Sequence, residues 1–319
     1  MNMQAIYFCI SFVITAIIGK LIIPILKNLK VGQNERADGP RSHLRKQGTP
    51  TMGGIIIIIS IVILSVAYSL LNASTKILPI LLASVGFGIV GFVDDFKKLV
   101  LKNTEGLNPK LKMFGLLIIA TIYTLYLVRV INIGTDIAIP FLNMSIELPG
   151  WLYIVFTIVV MLGATNAVNL TDGVDGLSAS VLFIITGTLS TIAFKLGSVS
   201  TSIFASIVSG SCAGFLIYNM YKAKVFMGDT GSLLLGGVIS SIAIYLKNPL
   251  ILVIIAIIPV IETVSVILQV LYFRKTGKRL FRMSPLHHHF ELSGWRENKV
   301  VSVFSFITLL ACMLGVLSI

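Results

Sequence analysis

The sequence predicts an all-α integral membrane protein: one polytopic domain over residues 1–319, ten transmembrane helices, both termini outside the cytoplasm, a small external β-hairpin and a cytoplasmic active-site face. Three observations carry this. Hydrophobic residues make up 56% and charged residues 12% of the chain, against about a quarter charged in soluble proteins. Apolar runs of about 20 residues, the length that crosses a bilayer as a helix, recur with short polar breaks. All lysines and arginines except Lys20, Lys76, Arg129, Lys195 and Lys247 fall in alternate breaks, at 27–51, 96–112, 220–230 and 274–299. That alternation marks those breaks as cytoplasmic. It also accounts for the net charge of +12 without a nucleic-acid partner.

The first span runs over 3–26. No basic leader precedes it and no small-residue cleavage pattern follows, so it is expected to stay in the protein. Spans at 52–72 and 77–95 follow, joined by a short outer turn, and then one at 111–131. The next outer segment, IGTDIAIPFLNMSIELPG, alternates apolar residues on both sides of Pro140, which predicts a hairpin lying on the membrane surface. Six more spans are expected at 151–170, 177–195, 199–219, 231–247, 249–273 and 299–318. Gly210 and Gly214 form a GxxxG in the seventh, read as a seam of close helix packing. Cys9, Cys212 and Cys312 are isolated in apolar surroundings, spaced for neither a metal knot nor a disulfide framework.

The acids are placed unevenly. Asp136 and Glu147 lie outside and Glu262 within a span, whereas every other acid sits at a cytoplasmic helix end or loop. A face that gathers both charges on an otherwise apolar chain suits chemistry on a charged, water-soluble substrate. A secondary transporter would instead bind near the bilayer midplane, where only Glu262 lies.

Five motifs occupy that face, and one decoy lies away from it. GFGIVG, Gly86–Gly91, matches a dinucleotide fingerprint in letters, but it lies inside an apolar helix with no preceding strand, so helix contact explains it. GFVDDFKK follows it, and its adjacent Asp94 and Asp95 call for a cation, for Lys97 and Lys98, or for a shared proton. Neighbouring helical residues point about 100° apart, so the two are expected to do different jobs. NAVNLTDGVDG places Asn166, Asn169, Asp172 and Asp175 at three-residue spacing along one stripe, with hard oxygen donors of the kind magnesium prefers. In FMGDTGS, Asp229 with Thr230 and Ser232 could hold a metal or cap a helix whose amides favour phosphate. Phe226 offers a face for a planar base. In RSHLRKQGTPTMGG, Lys46 and Thr51 are candidates for phosphate or sugar contacts.

MSPLHHHFELSG holds His287, His288 and His289. Three consecutive histidines do not converge on one tetrahedral ion, and they suit hydrogen bonding to a diphosphate or proton transfer near neutral pH.

Together, DGPRSHLRKQGTPTMGG, VDDFKK, NAVNLTDGVDGL, FMGDTGSLLLGG and SPLHHHFE resemble the polyprenyl-phosphate N-acetylhexosamine-1-phosphate transferase family, in its order and across essentially the whole chain. The triple histidine resembles the branch that uses an N-acetylmuramoyl-pentapeptide donor. Departures are mild: Phe96, Val174 and Ser178 stand where tyrosine, leucine and alanine are common.

The resemblance implies a Mg2+-dependent phosphotransferase in the bacterial plasma membrane. UDP-N-acetylmuramoyl-pentapeptide and undecaprenyl phosphate would give a lipid-linked cell-wall intermediate and UMP, and a homodimer is plausible. It implies Asp94, Asp95, Asp229 and His288 as catalytic and Asp229 with Asn169 as magnesium ligands. Lys97, Lys98 and Lys110 would offset charge. Phe226, Gly173, Val174 and Asp175 would form a uracil pocket. Lys46, Thr51, Asn166, Asp172 and Asn219 would line the ribose and phosphate path, and His287 and His289 would close the site.

Overall fold

The computed structural model describes residues 3–28, 48–99, 106–142 and 144–319. Its long helices are α1 Met3–Asn28, α2 Gly54–Leu71, α3 Leu78–Leu99, α4 Pro109–Tyr126, α5 Gly150–Thr171, α6 Leu177–Lys195, α7 Val199–Asn219 and α8 Gly228–Tyr245. A short α9, Ile251–Ile255, leads into α10, Ile257–Thr276; α11 is Leu286–Leu292 and α12 is Glu297–Leu317. Nine helices among the described residues are long and apolar enough to cross a membrane. They are α1 to α7, with α4 running on through a π-helical turn to Ile131, and α10 and α12.

The sequence reading of ten spans differs from this at two places. The span expected at 231–247 is α8, whose glycines and serines leave it less apolar than the other nine. It is buried continuously from Thr230 to Ile244, against α3, α5, α2 and α6. Surrounded by protein on all sides, it does not need a lipid-compatible face. The span expected at 249–273 is broken at Ala256. Pro259 explains the break: its ring excludes the carbonyl four residues earlier, that of Ile255, and it has no N–H to donate there.

Close approach between helices is set by small residues. A side chain at Gly210 would run into the Phe8 carbonyl, and one at Gly214 would come within 2.6 Å of the Phe12 carbonyl. The GxxxG therefore seats α7 on α1 within the chain. Hydroxyls finish the seam: Ser11 donates to the Ile207 carbonyl at 2.6 Å and lies 2.8 Å from the Ser211 hydroxyl, while Thr15 donates to Ser60 on α2 at 2.7 Å.

The expected hairpin is present as β1 Asp136–Ile139 paired antiparallel with β2 Met144–Glu147, with Asp136 opposite Glu147 and Ile139 opposite Met144. It is tied to the helical body by Ala138 N–H to the Lys247 carbonyl and Phe141 N–H to the Ser318 carbonyl. Lys247 Nζ lies 2.6 Å from Asp136 Oδ1 and offsets the like-charged cross-strand pair.

A candidate active site where α3, α4, α5 and α8 meet

The site begins with a glycine. Gly91 lets α3 come so close to α8 that a Cβ there would strike the Asp229 carbonyl. The next turn of α3, which carries Asp94 and Asp95, is thereby held against the start of α8. The letters that mimic a dinucleotide motif thus act as a helix contact.

The two neighbouring aspartates then diverge. Asp95 is buried and turns to α8: its Oδ2 accepts from the Thr230 N–H at 2.9 Å and the Thr230 hydroxyl at 2.6 Å, and its Oδ1 from the Asp229 N–H at 3.2 Å. These amides are in the first helical turn, which lacks partners of its own, so Asp95 caps α8 from another helix. Asp94, also buried, turns toward α4: Oδ1 accepts from the Leu107 N–H at 2.7 Å and Oδ2 from Lys98 Nζ at 2.6 Å.

Asp229 closes the cluster. Its Oδ2 lies 3.0 Å from Lys98 Nζ and 2.8 Å from Lys112 Nζ, and Lys112 also lies 3.5 Å from Asp94 Oδ2. Two carboxylates are therefore held together by two ammonium groups. Asp229 Oδ1 accepts from the Asn169 side-chain amide at 2.6 Å, and the same amide donates to Ser232 Oγ at 2.9 Å. Asn169 comes from the last turn of α5, so four helices contribute.

Lys112 was not singled out by its sequence. Lys110 was, and it is exposed, with its amide bonded to Asn108 Oδ1, the cap that starts α4. Two positions along a helix turn a side chain by about 200°, so only one of the pair can face the aspartates. Lys110 stands on an exposed, largely apolar face of α4 with Pro109, Met113, Phe114 and Leu117. Lys97 is half-buried beside Lys98 on α3.

Around the cluster, the loops that carry the other motifs are built on each other. The segment Pro50–Gly54, which leads into α2, bonds to 226–227 through Phe226 N–H to the Pro50 carbonyl, Gly53 N–H to the Phe226 carbonyl and Gly54 N–H to the Met227 carbonyl. Thr51 is buried there beside Gly228. Asn219 donates to the Val225 carbonyl at 3.0 Å and Asp175 Oδ2 accepts from the Ala223 N–H at 3.0 Å, so both brace the loop before Phe226. Asp172 sits at the C-terminus of α5 and accepts from the Gly228 amide. Burial, and then the charges of Asp229 and Asp95, push its carboxyl up to about 8. Gly173 is half-buried and Val174 buried in the same loop. Asn166 bonds back to the Leu162 carbonyl of its own helix. Lys46 lies outside the described residues.

The three histidines do point three ways. His287 Nδ1 lies 3.1 Å from Glu262 Oε1, His288 Nδ1 lies 2.9 Å from Glu291 Oε2, and His289 Nδ1 accepts from the Arg282 N–H at 3.1 Å. His287 is buried against Gly173, which joins α11 to the Asp172–Asp175 loop.

Among the described residues no group of three or more His, Cys, Asp or Glu could hold a metal ion. The fit to magnesium rests instead on the oxygens of Asp229 and Ser232, with Asn169 bonding both through its side-chain NH2 and carrying the amide oxygen that could join them as a ligand. A site with so few protein ligands suits an ion that keeps water and substrate phosphate in its shell.

Residues 77–247 match the family described as Glycosyl transferase family 4, and residues 46–58 match Phospho-N-acetylmuramoyl-pentapeptide-transferase signature 1. The chain is 48% identical over 310 residues to the phospho-N-acetylmuramoyl-pentapeptide-transferase of Acetivibrio thermocellus, covering 97% of this chain and 93% of the relative. It is 50% identical over 310 residues to the protein of that name from Clostridium perfringens strain 13, covering 97% and 96%. With that of Halalkalibacterium halodurans the identity is 48% over 309 residues, covering 96% and 94%.

Proposed function

This chain belongs to the phospho-N-acetylmuramoyl-pentapeptide-transferase family, and we propose that it transfers phospho-N-acetylmuramoyl-pentapeptide from UDP to undecaprenyl phosphate. The products are undecaprenyl-diphosphate-linked N-acetylmuramoyl-pentapeptide and UMP, in the first membrane step of peptidoglycan synthesis. The chain is a multi-pass membrane transferase. The reading places it in the bacterial plasma membrane with the α3–α8 junction and α11 at the cytoplasmic face. The clustering of acids and bases at that end supports this orientation.

The observation that carries the reading is the pair Asp94 and Asp229 bound by Lys98 and Lys112. Phosphoryl transfer is mainly positioning and neutralisation of charge. Lysines already poised between two carboxylates can exchange them for phosphate oxygens with little reorganisation. Asp229 and Asn169 would hold magnesium, with Ser232 beside them; the ion would supply charge neutralisation of the diphosphate. Asp94 would orient or deprotonate the lipid phosphate, and Asp95 would keep the start of α8 in place. Lys97 would offset charge beside Lys98. The apolar face of α4 would offer the polyprenyl chain a path, with Lys110 beside it.

Phe226, Gly173, Val174 and Asp175 would hold uracil. Lys46, Thr51, Asn166, Asp172 and Asn219 would line the ribose and phosphate path, and His287, His288 and His289 would close over it, with His288 as the proton carrier. Asp175 and Asn219 contribute by shaping the loop before Phe226.

The test is transfer of label from UDP-N-acetylmuramoyl-pentapeptide into the lipid phase by purified protein with magnesium and undecaprenyl phosphate. Loss of transfer in Asp229→Asn is expected. Unchanged transfer in that variant, or label entering only from an N-acetylglucosamine donor, would overturn the reading.

A further inference from the structure

Glu262 lies in α10 and is fully buried. A carboxyl inside a membrane helix is expensive unless it is paired. Its Oε1 meets one residue twice: it accepts from the His287 backbone N–H at 3.2 Å and lies 3.1 Å from His287 Nδ1. His287 is itself fully buried. The double contact fixes the start of α11 and the orientation of the ring together, because turning the ring over would take Nδ1 off the carboxylate.

The other ring nitrogen is left pointing elsewhere. His287 Nε2 is buried and has no hydrogen-bond partner among the described residues; neither has Glu262 Oε2. Nε2 packs against Gly173, so closely that a side chain at 173 would run into it. Buried polar atoms without partners are few in folded proteins, and here the orphan is aimed at the loop of Asp172–Asp175 by a contact on its far side.

We propose that Glu262 is a positioning residue for the donor nucleotide: acting through His287, it commits Nε2 to the Gly173 loop as a hydrogen-bonding atom for uridine. This rests on the reading of that loop as the uridine site. With Nδ1 turned to the carboxylate, Nε2 is the ring atom left to bond the nucleoside. His289 differs, its Nδ1 accepting from the Arg282 amide, while His288 also turns Nδ1 to a carboxylate, that of Glu291, but is only half-buried.

The experiment uses the full chain in nanodiscs, with UMP binding by calorimetry and separate KM values for the UDP-linked donor and undecaprenyl phosphate. Glu262→Ala is expected to weaken UMP binding and raise the donor KM roughly ten- to a hundredfold, with the KM for undecaprenyl phosphate unmoved. Glu262→Gln, whose amide oxygen still accepts from the backbone and from Nδ1–H, recovers most of that loss. The double variant with His287→Ala is no weaker than His287→Ala alone. If Glu262→Ala does not fold, Glu262→Asp replaces it, since it keeps the charge but withdraws the oxygen and must still lose UMP affinity. Both KM values rising together, additive losses in the double variant, or Gln as damaging as Ala each overturn the proposal. If His287→Ala binds UMP normally, the uridine reading of the loop falls and the proposal with it. If His287→Ala binds UMP weakly while Glu262→Ala binds it normally, the loop reading stands and the role of Glu262 alone is refuted.

Discussion

Asp94 on α3 and Asp229 on α8 share the same two cations: Lys98 Nζ lies 2.6 Å from one and 3.0 Å from the other, and Lys112 Nζ lies 3.5 Å and 2.8 Å from them. Removal of either lysine leaves the two carboxylates with a single cation between them. Lys112→Met is therefore expected to lower kcat by at least about tenfold, an oriented charge contact of this kind contributing roughly 1.5–3 kcal/mol. Lys110→Met, exposed on the opposite side of α4, should cost much less. Steady-state transfer assays on both variants check the order, and an equal loss would contradict the geometry.

Asp95 has a mechanical role that can be separated from chemistry. Asp95→Ala leaves two first-turn amides of α8 and the Thr230 hydroxyl without their acceptor. A loss of roughly 2–4 kcal/mol in stability is expected, read as a lower unfolding midpoint in detergent. Asp95→Asn, which keeps one acceptor oxygen, should fall between Ala and the wild type.

The α1–α7 seam has no room for a side chain at Gly210. Gly210→Val should destabilise the protein by roughly 1–3 kcal/mol through overpacking. The same substitution at Gly163, where a Cβ meets nothing within 4 Å, should be milder. Thermal unfolding of the two variants gives the comparison.

On the hairpin, the Lys247 hydrogen bond holds the Asp136 carboxyl below its usual range. A folded pKa below the unfolded one means the pair stabilises above the unfolded carboxylate range, and that stabilisation is lost as pH falls through the folded pKa. Both side chains are more than a third exposed, so the contribution is at most about 1 kcal/mol. Asp136→Asn should lower stability slightly at neutral pH and not at all once Asp136 is protonated in the wild type; a gap that persists in acid would assign the effect to packing.

Rapid quench with labelled donor distinguishes the two routes for the proposed transfer. Direct attack by the lipid phosphate leaves no label on protein, whereas a carboxylate nucleophile leaves a phosphosugar adduct that Asp94→Asn abolishes.

Much of this was legible in the residues. Hydropathy and the alternation of basic breaks are properties of one segment at a time, so the spans, the hairpin strands at 136–147 and the loops that carry the motifs could be read locally. Adjacency on a helix also sufficed to separate Asp94 from Asp95, whereas the three histidines, expected in a loop, stand on the short helix α11. What the chain could not reveal is which face of each helix meets which partner. Lys112 rather than Lys110 reaches the aspartates because the cap at Asn108 and the packing of α4 set a rotation that no spacing encodes. The apolar run at 231–247 is a protein-enclosed centre, α8, because its neighbours take its whole circumference. Glu262 looked like a lone membrane carboxyl until tertiary packing brought α11 back to it; a buried charge is made tolerable by a partner distant in sequence, and only the fold supplies one.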